Sequence, residues 1–241
     1  MRIEDLAKGM EYPGRFLIVG NVKGLFISIY GVTARNESSR AKRYVLGHDN
    51  KSVGVEATDT EIMSRGNLDL LEYNALRLMK NDRLLIMGNG KQVDTVGDFE
   101  FKSVSEILDR NLQNWSFEPD KYNTPRITGC TFFDQGNFSQ AVNIIRDDGS
   151  GFPRRDTYDL STDSEAFYFL STYAGPNTRP TPSFAGAPIQ IEMVGGNIDE
   201  LINEVDYAFE PGEGKADLRV AVVGVEMAMV GDVKIAIKNW S

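Results

Sequence analysis

The sequence predicts an α+β protein in which two stacked β-sheets are flanked by helices. Three features of the chain carry that prediction: a meander of strand-like runs in its first hundred residues, two segments of helical period, and a further series of apolar strands after each helical segment.

In chain order, "GRFLIVG" (14–20) and "GLFISIYGVT" (24–33) are β-branched and aromatic runs, separated by Asn21-Val22-Lys23 at hairpin spacing. A second hairpin is expected from "YNALRLM" and "LLIMG", turned by Asn81-Asp82, with Asn89-Gly90 as a further hairpin turn into "KQVDTV". In "SVSEILDRNLQNW", Val104, Ile107, Leu108, Leu112 and Trp115 share one stripe behind a Ser103/Glu106 capping box. In "NIDELINEVDYAF", Ile198, Leu201, Ile202, Val205 and Phe209 do the same behind Asn197 as N-cap. "RITGCTFF", "FSQAVNII", "AFYFLSTY" and "PIQIEMV" follow the first helix; "LRVAVVGVEMAMV", read as a buried core strand, and "DVKIAIK" follow the second. The Gly/Pro/Ser-rich stretches 146–156 and 174–188 read as loops within one domain of residues 1–241.

Composition narrows the function. The 241 residues carry 35 acidic and 26 basic side chains, a formal charge of −9, which disfavours nucleic acid and anionic lipid as partners. An anionic small molecule remains compatible where arginines gather locally, because screening confines the remaining field to roughly 8 Å at physiological salt. One cysteine and one histidine exclude a disulfide framework and a histidine-rich metal site. The start, "MRIEDLAKGMEYPGR", lacks the apolar run of a secretion signal, and no segment approaches the roughly 20 apolar residues of a membrane span, so a cytoplasmic protein is expected.

Several residues read as plainly structural. "MGNGKQ" lacks P-loop spacing and reads as a turn; His48 reads as solvated; Cys130 reads as a small buried hydrophobe, with autocleavage at Gly129-Cys130 a remote alternative. Arg35, Arg40 and Arg43 fall within "TARNESSRAKR", either a solvated loop or a phosphate cradle of guanidinium forks. In "EPDKYNTPR", Pro125 holds Thr124 extended and makes a stiff polar corner carrying Glu118, Asn123 and Arg126, which is either an Asx turn or a binding loop.

"YPGRFLIVG", "IYGVTARNESSR", "EYNALRL" with "LLIMGNGKQVDTV", "NTPRI" and "FLSTY" stand in an order and spacing that resemble the archaeal-type IMP cyclohydrolase family over residues 12–196. The resemblance implies a four-layer αββα sandwich similar to the N-terminal nucleophile hydrolase fold, without its nucleophile, preceded by an N-terminal extension of residues 1–11. It implies a small-molecule nucleotide substrate, 5-formamidoimidazole-4-carboxamide ribonucleotide, closed to inosine monophosphate with loss of water, with no cofactor and no metal; a homo-oligomer is left open. By position in the motifs, Glu118 is the expected proton-transfer residue, Tyr73 a donor or relay, and Arg40 and Arg35 phosphate or oxyanion contacts. Asn74, Asn123, Thr124 and Arg126 are expected substrate contacts; Ser171, Thr172 and Tyr173 line the pocket or simply end a strand. Gly31 stands where the family usually has arginine, and Glu37-Ser38-Ser39 where it has Phe-Pro-Asn, with Arg43 or Arg179 available to replace the lost guanidinium. Those departures raise an alternative, a purine-nucleotide binder on the same fold that has lost catalysis.

Overall fold

The computed structural model describes residues 1–97, 101, 103–134, 137–162, 165–228 and 232–240. The chain begins with α1 (Ile3–Lys8), β1 (Arg15–Val22) and β2 (Leu25–Thr33), then a one-turn α2 (Glu37–Arg40), β3 (Lys42–Leu46) and β4 (Ser52–Ala57). Two short helices, α3 (Thr60–Ser64) and α4 (Leu68–Leu71), lead to the hairpin β5 (Leu76–Met79) and β6 (Leu84–Gly88). After α5 (Val104–Leu112) come β7 (Arg126–Asp134), β8 (Asn137–Asp147), β9 (Pro153–Leu160), β10 (Phe167–Ser171) and β11 (Ile189–Ile191). The chain then forms α6 (Ile198–Ala208), β12 (Arg219–Ala228) and β13 (Val233–Asn239).

Two antiparallel sheets result, a six-stranded one in the order β11-β10-β1-β2-β12-β13 and a seven-stranded one running β3 to β9 in sequence order. Long runs such as Phe16–Val22 are buried on both faces, which is why they read as continuous apolar stretches rather than alternating ones. Between the sheets, Phe26 stacks on Phe138, and the Ser28 and Thr131 hydroxyls share a 3.0 Å hydrogen bond. Outside, α5 packs on β7, β8 and β9, while α6 packs on β12 and β13. The apolar stripes of both helices face inward, and both caps form as expected: Ser103 Oγ accepts from Glu106 N at 3.2 Å and Asn197 Oδ1 from Glu200 N at 3.1 Å. Among the described residues no helix is long and apolar enough to cross a membrane.

Three expectations need correction. The first hairpin turns at Lys23-Gly24, both at positive φ (51° and 77°), and Asn21 and Val22 belong to β1. Asn89-Gly90 does not turn into a strand: β6 stops at Gly88 and the chain enters a 3₁₀ turn, Lys91–Thr95, because the Asn89 side chain is taken up by the backbone of β7 rather than by a hairpin. The stretch 146–156 holds the start of β9, an edge strand on which Pro153 at the first position withholds no ladder hydrogen bond that matters. The apolar run 218–230 is a central strand as expected, except that Met229 and Val230 lie outside the described residues.

Candidate active site

Where the two sheets part at one end, a cleft of about 330 Å³ opens, walled by Arg15, Lys42, Glu118, Thr124 and Tyr173 and edged by Arg35 and Arg179. Arg15 opens β1, and its backbone N–H donates to Thr172 Oγ1 at 3.1 Å, while the Thr172 hydroxyl donates to Pro13 O. This fixes where the guanidinium leaves the sheet, with Nη2 3.8 Å from Glu118 Oε1. Burial works against the Arg15 charge, but Glu118 and the tyrosines Tyr73, Tyr30 and Tyr12 outweigh it, so the guanidinium stays charged.

Glu118 is presented by the loop after α5. Its N–H donates to Thr124 O at 2.8 Å, and Asp120 ties the loop together by accepting from the N–H groups of Tyr122 and Thr124 and from the Thr124 hydroxyl. The Asx turn and the binding-loop readings are therefore compatible: the turn is what holds Glu118 and Thr124 at the cleft. Asn89 Nδ2 donates to Glu118 Oε1 at 3.0 Å and to Pro125 O at 3.0 Å, while Asn89 Oδ1 accepts from Ile127 N at 2.6 Å. Glu118 is 2% exposed, and burial pushes its carboxyl above the ordinary value against the pull of Arg15 and Arg126.

Behind the cleft three tyrosines meet. Tyr73 shares hydrogen bonds with Tyr30 (2.8 Å) and Tyr44 (2.9 Å), and the Lys42 ammonium lies 5.5 Å from the Tyr73 ring centre. Burial alone would raise all three phenols. At Tyr73 it is overcome by the charges of Lys42 and Arg15 and by both hydroxyl contacts, so Tyr73 is the one held below the ordinary tyrosine value, while Tyr30 and Tyr44 lie well above it. Tyr173 stacks on Tyr12 at 5.5 Å, shares a 2.8 Å hydrogen bond with Thr124, and is pushed up to about 12 by burial.

The sequence-predicted residues divide. Glu118, Thr124, Tyr173 and Arg35 line the cleft, whereas Tyr73 is not part of its lining and lies behind it beside Lys42. Arg35 lies 4.0 Å over the Tyr12 ring and donates to Asn177 Oδ1, Thr178 O and Thr181 Oγ1, which pins its charge at the mouth. Arg40 instead donates to the Asp217 carbonyl, because the single turn of α2 carries it off the side on which Ser38 and Ser39 face the cleft. Asn74 donates to Asp94 Oδ1 at 2.7 Å and does not line the cleft. Asn123, at φ 49°, donates to Asp147. Arg126 donates to Ser116 O and Gln92 Oε1 and lies 5.0 Å from the Trp115 ring, behind Glu118 rather than in the cleft wall. Ser171 donates to the Tyr173 carbonyl, and Thr172 holds Arg15, so these two support the site from within.

The two departures also resolve in space. A side chain at Gly31 would run into the Phe16 ring, with its Cβ only 2.0 Å from Phe16 Cζ, so that position faces aromatic core and not the cleft. Glu37 does not line the cleft, Arg43 pairs on the surface with Glu56 at 3.0 Å, and Arg179 stands at the cleft edge. His48 is exposed, and Cys130 is buried in mid-strand between Ile86 and Ala141, with burial pushing its thiol up.

Sequence reasoning missed Arg15, Lys42 and Asn89. A period-2 reading of "KRYVL" puts Lys42 and Tyr44 on one face, a signal that was present. Asn89 reads locally as a turn residue, and nothing in the neighbouring sequence distinguishes the two uses. A larger cleft of about 670 Å³ lies beside α1 and residues 207–219; of its lining cations, Lys215 pairs with Glu11 at 3.1 Å across it, and Arg219 is held by Asp217 at 2.7 Å, outside the lining.

The model of a family described as "IMP cyclohydrolase-like protein" matches residues 12–223. Proteins named IMP cyclohydrolase are similar: one of Haloquadratum walsbyi is 29% identical over 139 residues, 57% of this chain and 63% of that protein. One of Methanocaldococcus jannaschii is 27% identical over 117 residues (48% and 54%), and one of Methanococcus aeolicus 30% identical over 120 residues (48% and 56%). The chain thus matches between 54% and 63% of the length of these relatives.

Proposed function

The chain belongs to the IMP cyclohydrolase-like protein family, and from that premise we propose that its cleft closes 5-formamidoimidazole-4-carboxamide ribonucleotide to inosine monophosphate. In this reaction the carboxamide nitrogen attacks the formyl carbon of the same molecule. The water that leaves takes its oxygen from the formyl group and its two hydrogens from the carboxamide and formamido nitrogens. Because both partners sit on one ring, holding them in the near-attack geometry supplies much of the acceleration. The remaining tasks are to move a proton from nitrogen to the departing oxygen and to stabilise charge on that oxygen in between.

The observation that carries the reading is Glu118, a buried carboxyl raised from its ordinary value, facing Arg15 at 3.8 Å on the wall of a cleft that also buries Lys42, Tyr12 and Tyr173. A carboxyl raised toward the working pH can take a proton and return it, which is what ring closure with loss of water requires. Tyr73, held below the ordinary tyrosine value, serves as donor or relay from behind the cleft. Arg35 and Arg179 at the mouth suit the 5′-phosphate, and Thr124 and Tyr173 the ribose or base. The fold is proposed to be one domain of the αββα kind found in N-terminal nucleophile hydrolases, with α5 and α6 as outer layers; the buried Cys130 supplies no nucleophile. The alternative of an inactive nucleotide binder rested on Gly31 and Glu37, and neither position lines the cleft.

An ultraviolet assay of the purified chain with the formamido nucleotide tests the reading. Inosine monophosphate should form well above the uncatalysed rate, and Glu118→Gln should lower kcat by about 10²-fold or more, the scale of lost acid–base catalysis. Binding of the nucleotide without turnover would convert the protein to a binder; turnover untouched by Glu118→Gln would remove Glu118 from the mechanism.

A further inference from the structure

We propose that Lys42 is a further catalytic residue of this cleft, its ammonium holding the formyl oxygen while negative charge develops there during ring closure. The inference rests on the cyclohydrolase reading above. Lys42 opens β3 on the face it shares with Tyr44, and it is 1% exposed. Its Nζ makes no hydrogen bond of good geometry among the described residues, although an ammonium carries three donors; the Tyr73 side chain, whose contact favours the charged form, is its one polar neighbour of note. The ring centres of Tyr73 and Tyr44 lie 5.5 and 5.8 Å from it.

A buried ammonium in that state is expensive, and a methionine of similar length would fill the same space without the desolvation penalty. The residue nevertheless lines the cleft, on the same wall as Arg15 and Glu118. Arg15 already faces the Glu118 carboxylate, so among the described residues Lys42 is a buried cation of the cleft with no ion-pair partner of its own. Burial lowers its affinity for a proton, opposed by Tyr73 and Glu118 and reinforced by Arg15, a balance that makes an added anionic oxygen strongly favourable to the charged form.

The step balances without any further reactant. The carboxamide nitrogen forms its bond to the formyl carbon, the carbonyl π pair moves onto the formyl oxygen, and Lys42 donates a hydrogen bond to it. The proton released from nitrogen passes through Glu118 to that oxygen, and the hydroxyl, protonated again as the formamido nitrogen gives up its hydrogen, departs as water. A preformed donor at such an oxygen acts in the transition state more than on the bound substrate.

Kinetics and melting of Lys42→Met, with Lys42→Gln as a second variant, test this. The expected result is a kcat lowered about 10²-fold with KM changed less than about threefold, as for loss of an oxyanion donor. Inosine monophosphate should still bind, and the Lys42→Met thermal midpoint should rise, because an unpaired buried charge has been removed. A kcat within about threefold of the parent chain's would overturn the assignment, the same margin as for KM. So would a lowered midpoint, lost product binding or failure of both variants to fold, each of which makes Lys42 a structural residue. Absence of turnover in the unaltered chain would instead sink the cyclohydrolase reading, and the role of Lys42 with it.

Discussion

At the scale of single residues, the site is a set of charges that the surrounding fold does not fully satisfy, and Glu118 makes this measurable apart from activity. Its ordinary value is 4.5 and its folded value is higher, with burial as the leading cause. Below 4.5 both folded and unfolded chains hold the proton, and the contribution of this group to stability is fully present. As pH rises, the unfolded chain ionises freely while the folded one resists, so stability falls and the contribution is lost once pH passes the raised folded value. Glu118→Gln has no such titration. Its thermal midpoint relative to the parent chain should therefore be higher at pH 8 than at pH 4, and a difference that is constant or reversed across that range would show that Arg15 compensates fully for burial. The same scale shows what the sequence concealed. Glu118, Thr124 and Tyr173, which line the cleft, stand in motifs that the sequence shows, whereas Asn74 is drawn in by adjacency to Tyr73 and Arg40 by sharing a loop motif with Arg35, and neither adjacency nor a shared loop fixes where a side chain points.

At the scale of elements, helices with a side-chain cap and a complete apolar stripe were readable to within a residue or two, since cap and period are both local. Strand β9 was not, because an edge strand needs no apolar face and its Gly/Pro-rich approach resembles a loop. The junction of β6 with β7 was misread for a deeper reason: Asn89 acts through tertiary contacts. Its side chain accepts from Ile127 N at the start of β7 and donates to Pro125 O and Glu118 Oε1, so a single amide ties strand, loop and candidate catalytic carboxyl. Asn89→Ala leaves the buried Ile127 N–H and Pro125 carbonyl without these partners and should destabilise the protein by about 1–3 kcal/mol in urea unfolding, the usual penalty for an orphaned buried polar group. It should also lower kcat, since Glu118 loses the donor that orients it. A stability within about 0.5 kcal/mol of the parent chain, the range of ordinary surface substitutions, would mean that water or rearrangement replaces the amide.

At the scale of the whole molecule, the site exists only where the two sheets meet. Arg15 and Tyr30 come from the six-stranded sheet; Lys42 and Tyr44 come from the seven-stranded one, and Tyr73 from the segment leading into its β5. A reciprocal pair of hydrogen bonds between Asn239 and the Tyr44 backbone, 2.8 and 3.1 Å, fastens β13 of one sheet to β3 of the other beside them. No contiguous stretch of chain therefore contains the site, which is why sequence alone yields some of its members and neither the rest nor their grouping. It follows that ligand binding is linked to the integrity of both sheets together. Inosine monophosphate at about 100 times its Kd should add about 2.7 kcal/mol and raise the thermal midpoint by about 5–10 °C for a chain of this size. The phosphate assignment sharpens the comparison. If Arg35 and Arg179 at the mouth hold that group, inosine, which has the same base and ribose and no phosphate, should shift the midpoint far less at the same concentration. Equal shifts by the two ligands would move the phosphate out of the cleft, and no shift by either would separate the sheet seam from nucleotide binding altogether.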